Sequence, residues 1–152
     1  MKDANLAYRL HARLGYKISR LARLMQSRLE RGLAPLELTR LMWCVLTGVG
    51  DEAVETPSEL ASYLGITRPA TSRLLREMEA RGFIAWGGHE ADGRGRRLAL
   101  TPRGLAALEA ARPAVEAVRE HFAAKLAETD RASVLRGLDA LAEGEDAALT
   151  RL

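Results

Sequence analysis

The sequence predicts a mainly α-helical fold, a winged helix-turn-helix held between long N- and C-terminal dimerisation helices. Three observations predict it. Apolar residues recur every three or four positions along most of the chain. Two helical segments meet at Leu64-Gly65-Ile66, each opened by a threonine and a proline. A hairpin rich in glycine and arginine follows directly.

Residues 4–30 read as one amphipathic helix. Leu6, Leu10, Leu14, Ile18, Leu21, Met25 and Leu29 share a face, with Arg9, Arg13, Lys17, Arg20, Arg23 and Arg28 opposite. Gly32 is its predicted stop. Pro35 opens a second helix over 35–48, with Leu38, Leu41, Met42, Val45 and Leu46 inward. Thr56-Pro57-Ser58-Glu59 combines a cap, a proline at the first helical position and the glutamate of a capping box. Gly65 keeps that helix short. Thr67 caps a fourth helix, which Gly82 stops, with Thr71, Leu74, Leu75 and Met78 on its inner face. Residues 83–86 have strand composition, 87–95 form a loop, and Leu98, Leu100 and Thr101 mark a returning strand. Thr101-Pro102 starts a long helix over 102–128, kinked at Pro113, with Leu105, Leu108, Val115, Val118, Phe122 and Leu126 as its seam. A last helix restarts at Thr129-Asp130 and carries Val134, Leu135, Leu138 and Leu141. The tail after Gly144 is expected to fray.

Composition bounds the function. The 152 residues make about one domain, organised as 1–34, 35–104 and 105–152 in one intertwined unit. A single cysteine, Cys44, excludes an intrachain disulfide framework and a cysteine-rich zinc fold. No apolar run reaches bilayer length and no signal-peptide pattern opens the chain, so the expected compartment is cytoplasmic, with no membrane partner. Net charge is only +3, yet residues 1–50 carry nine basic and three acidic side chains, and residues 105–152 six and nine. Codon usage explains the arginine excess as well as a polyanion partner does; the distribution favours the partner.

The outer face of the fourth helix should present Arg68, Pro69, Ser72, Arg73 and Arg76. A helix of this length fits the major groove of double-stranded DNA, where its N-terminal residues reach base edges. Arg94, Arg96 and Arg97 fall on the predicted hairpin tip, where arginine can enter the narrow minor groove. Asp92 would repel phosphate, so its expected role is to orient an arginine. The bland alternatives are a solvated helix face, with Glu77 and Glu79 beside the arginines, and a generic loop.

The run from Thr56 to Gly104 resembles the MarR family of bacterial transcriptional regulators. The matching pieces are Ser58-Glu59-Leu60-Ala61, Leu64-Gly65-Ile66, Ser72-Arg73-Leu74-Leu75, Met78-Glu79 and Arg81-Gly82-Phe83-Ile84, then Asp92-Gly93-Arg94 and Leu98 to Gly104. The flanking helices match the family layout. The resemblance implies a homodimer built from the terminal helices, a palindromic operator, repression, and release by a small ligand or oxidant. Thr71 departs from the family's usual apolar residue; its hydroxyl can return to the helix backbone. Pro69 is also unusual and removes a backbone donor. The apolar seams over 6–29, 105–126 and 134–141 exceed what one winged domain covers, which independently favours pairing. A two-fold dimer sets its recognition helices about one DNA turn apart and reads an inverted repeat of roughly 16–20 base pairs.

Three triggers compete. A small aromatic or phenolic effector could sit between the dimer helices and the winged core, lined by His11, Tyr16 and Trp43; the alternative is core or interface packing for Tyr16 and Trp43 and a surface or interface position for His11. Cys44 could sense oxidant, but its apolar neighbours favour an inert buried thiol. His11, His89 and His121 show no metal-ligand spacing, and no catalytic signature or cofactor motif is present, so neither metal, cofactor nor enzyme activity is expected. A sequence-independent architectural DNA binder and a winged helix used for protein contact are the alternatives.

Overall fold

The computed structural model describes residues 9–87 and 97–149. The first long helix starts and ends later than its apolar period predicts. A 3-10 turn over Leu10–Ala12 gives way to extended backbone at Arg13, and α1 runs Leu14–Leu33. It passes through Gly32 because that glycine serves packing, not termination. A Cβ there would lie 3.0 Å from the Cβ of Ala114. The second helix shifts as well. Pro35 sits in a 3-10 turn, Ala34–Leu36, after which Glu37 adopts a left-handed φ of 56°. The helix α2 then covers Arg40–Gly50, capped by Thr39, whose Oγ1 accepts the Met42 N–H at 3.2 Å.

The next two helices fall where their caps put them: α3 at Pro57–Leu64 and α4 at Arg68–Ala80. The capping box is complete, with Glu59 N–H donating to Thr56 Oγ1 at 3.2 Å and Thr56 N–H to Glu59 Oε2 at 3.0 Å. Gly65, at φ 66°, makes the turn between the two helices, a conformation that disfavours a side chain. Thr71 is fully buried in α4, and its hydroxyl donates to the Thr67 carbonyl at 3.1 Å, so the polar residue is satisfied.

Strands β1, Ile84–Gly87, and β2, Arg97–Leu100, pair antiparallel, with Ile84 opposite Leu100 and Gly87 opposite Arg97. Arg97 therefore stands at the root of the hairpin rather than on its tip, because pairing with Gly87 draws it into the strand. The Leu98 N–H adds a rung, donating to the Glu55 carbonyl at 2.7 Å. The helix α5, Pro102–Ala123, continues through Pro113 but ends earlier than predicted. Tight turns over 124–126 and extended backbone at Ala127 separate it from α6, Glu128–Ala142. The described part of the tail, residues 145–149, does not fray: Leu149 forms a parallel bridge with Ile66.

Leu33, Met42, Val45, Leu46, Leu60, Met78 and Ile84 are essentially inaccessible and form the centre of one core. Each contributes roughly 1.5–3 kcal/mol relative to exposure. From α5, Leu108 and Ala111 join them, and Val115 and Val118 pack against them, so part of the predicted dimer seam is used within the chain. The rest stays open. In α1 only Leu29 and Leu33 are buried, and no residue of α6 is. Among the described residues, no helix is long and apolar enough to cross a membrane.

Candidate nucleic-acid interface

Packing of α4 decides its outer face. Thr71, Leu75 and Met78 go inward, which leaves Arg68, Pro69, Ser72, Arg73 and Arg76 exposed along one stripe. Arg68 Nη2 donates to Ser58 Oγ at 3.1 Å, joining the N-terminal ends of α3 and α4. Among the described residues neither Arg73 nor Arg76 has an ion-pair partner. Glu77, which sequence places near both, lies 3.8 Å from Arg81 Nη1 instead. The stripe therefore carries uncompensated positive charge at the end of a helix that can enter a groove.

Behind the stripe, Arg81 acts as a buttress that sequence reasoning missed. It donates to the Glu37 carbonyl, reaches Met42 Sδ at 3.2 Å and lies 5.0 Å from the Phe83 ring centroid. Nothing in the sequence distinguishes it from the exposed arginines, because its partners come from a distant turn. Arg97 ion-pairs with Glu55, closing the root of the hairpin. Arg94, Arg96 and Asp92 lie outside the described residues, as does His89.

Among the described residues, the three considered for an effector are not brought to one cavity. His11 and Tyr16 meet edge to face at 4.7 Å on the outer end of α1, beside a concavity of about 670 Å³ lined by Arg13, Ser19, Arg20 and Arg23. Trp43 lines a cavity of about 480 Å³ between α2 and α5, with Thr47, Leu108, Arg112 and Pro113. The separation follows from α1 touching the core only through its last turns. Arg112 bridges this second cavity, donating to Asp51 Oδ1 at 2.9 Å and Glu109 Oε1 at 3.0 Å. The buried Thr47 hydroxyl has no hydrogen-bond partner among the described residues. Cys44, next along α2, is half-buried; burial pushes its thiol pKa up, partly offset by Arg40.

A helix-turn-helix with this stripe and hairpin identifies a nucleic-acid-binding architecture, and comparison supplies the family. Residues 37–95 match the MarR family model. That segment is similar to the MarR family. Solved structures extend the likeness beyond it. The transcriptional repressor CouR bound to p-coumaroyl-CoA is 26% identical, with a TM-score of 0.78 over 95% of this chain and 99% of that one. A MarR-family protein of Mycobacterium tuberculosis in complex with salicylic acid is 27% identical, with a TM-score of 0.65 over 86% and 96%. A mutant MarR from E. coli complexed with operator DNA, 24% identical, shares the fold at a TM-score of 0.75 over 84% and 92%. Sequence and comparison thus agree on the MarR winged helix.

Proposed function

We propose that this chain is a ligand-responsive transcriptional repressor that binds a palindromic DNA operator as a homodimer. The observation that carries the reading is the exposed, unpaired stripe of Arg73 and Arg76 on α4, flanked by Arg68 and Ser72. The helix reads the major groove, and Arg94 and Arg96, with Asp92 to orient them, serve the minor groove from the hairpin. Arg97 acts from the hairpin root through its pair with Glu55.

Dimerisation through 1–34 and 105–152 accounts for the apolar surface the single chain leaves open. Leu14, Ile18, Leu21 and Met25 of α1 face Val134, Leu138 and Leu141 of α6 across a groove of about 480 Å³. Leu135 and Leu105 remain more than half exposed, at 58% and 52%. An apolar surface of this extent marks an association site. For the effector, the cavity between α2 and α5 offers an indole, an apolar wall and the Arg112 guanidinium. The ligands of the two related proteins, salicylic acid and p-coumaroyl-CoA, support an aromatic acid or its thioester.

Charge reversal tests the interface. Arg73→Glu and Arg94→Glu should each abolish duplex binding while the protein sediments as a dimer. Retained binding in both would remove the winged face from DNA contact.

A further inference from the structure

The strongest feature the repressor reading leaves unused is the C-terminal segment. After α6 the chain turns at Gly144, whose φ of 79° is left-handed, and runs back to the helix-turn-helix. There the Leu149 N–H donates to the Gly65 carbonyl at 2.8 Å, and the Leu149 carbonyl accepts the Thr67 N–H at 3.1 Å. The two bonds flank Ile66, which is 3% exposed, in the pattern of a one-residue parallel strand pair. Gly65 is the turn itself, and Thr67 is the cap of α4. Glu145 and Asp146 line a groove of about 440 Å³ together with Ser58, Ser62, Thr67 and Arg68.

We propose that residues 145–149 form an autoinhibitory strap, which docks on the helix-turn-helix turn and competes with DNA for the N-terminal end of α4. The inference rests on the DNA-binding reading above. A helix N-terminus facing DNA offers its free N–H groups and positive dipole end to phosphate. The strap puts two carboxylates beside that end and occupies the backbone N–H of the cap residue. Two backbone hydrogen bonds and a leucine that is 50% exposed hold it, so the contact can open when a polyanion arrives. Binding then follows population arithmetic: a strap closed in about nine molecules of ten lowers apparent affinity about tenfold.

The test compares the full chain with a truncation ending at Gly144, with Leu149→Pro, and with the double variant Glu145→Gln/Asp146→Asn. Leu149→Pro removes the donor to Gly65 and keeps every charge. The probe is a fluorescent random-sequence duplex, and amide exchange at Thr67 reports docking without DNA. The strap predicts faster Thr67 exchange in Leu149→Pro, and tighter duplex binding by about three- to tenfold in both the truncation and Leu149→Pro. Unchanged Thr67 exchange overturns docking. Tightening only in the truncation and the double variant reduces the effect to charge repulsion and overturns the strap. Loss of duplex binding in every protein, full chain included, overturns the DNA-binding reading itself.

Discussion

The hydroxyl of Thr101 donates to the carbonyl of Gly82 at 2.6 Å, joining the start of α5 to the turn that ends α4. The same oxygen accepts the Gly104 N–H at 3.0 Å as the cap of α5. Gly104 in turn lies so close to Phe83 that a Cβ would overlap its carbonyl oxygen. The joint between α4 and α5 is therefore tight. Thr101→Val should cost about 1–2 kcal/mol through the lost cap and hydrogen bond. Gly104→Ala should cost about 1–3 kcal/mol, since backbone must move to admit the methyl group. Urea unfolding checks both, and wild-type midpoints would show that the joint has slack.

On the proposed reading, Arg73 and Arg76 supply the electrostatic part of DNA binding. Replacing either with alanine should weaken duplex binding and lower the slope of log affinity against log salt by about 1 if the residue meets phosphate. A residue that instead reads guanine should cost about 1–3 kcal/mol at one operator position. Titration at several salt concentrations separates the two roles. Arg81, a buttress rather than a contact, behaves differently: Arg81→Ala should lower stability and leave the salt slope intact.

The capping box ties the short helix α3 to acid stability. Its hydrogen bonds with Thr56 and with the Glu55 and Thr56 N–H groups hold the Glu59 carboxyl below its ordinary 4.5. A pKa depressed on folding contributes stability that is full above the unfolded value and is lost as pH falls through the folded one. Thr56→Ala should cost about 1 kcal/mol at neutral pH. Glu59→Gln keeps a capping acceptor but cannot titrate, so its stability should fall less steeply in acid than that of the wild type. Urea midpoints measured from neutral to acid pH decide the matter.

Cys44 should be a poor redox sensor. Burial raises its pKa above the ordinary 9.0, so little thiolate exists at neutral pH. Alkylation with iodoacetamide should be slow at neutral pH and accelerate only in strongly alkaline buffer. Cys44→Ser should leave both DNA binding and its response to peroxide unchanged. Fast neutral labelling, or a peroxide response that disappears in the variant, would restore oxidant sensing.

Local chemistry made the central elements legible in the sequence. Thr56, Thr67 and Thr101 each accept a backbone N–H at a helix start, each with a proline one or two residues on, and such caps act over three residues. Gly65 and Gly82 mark left-handed turns for the same short-range reason. What sequence misplaced depends on distant partners. Gly32 reads as a stop, yet Ala114 decides its role. Pro35 masks the cap at Thr39, and Arg81 looks like any surface arginine until Glu37, Met42 and Phe83 gather around it. The docked tail was illegible because the bridge between Leu149 and Ile66 uses backbone groups alone, which carry no sequence signature. His11, Tyr16 and Trp43 could be nominated by residue type, but only the placement of α1 separates the first two from the third.

Selection of binding sites from a random duplex pool at near-physiological salt tests the central claim most directly. A dimer reading DNA through α4 predicts an enriched inverted repeat of roughly 16–20 base pairs, its half-sites about one helical turn apart. Binding with no enriched sequence, or no binding at all, would contradict it.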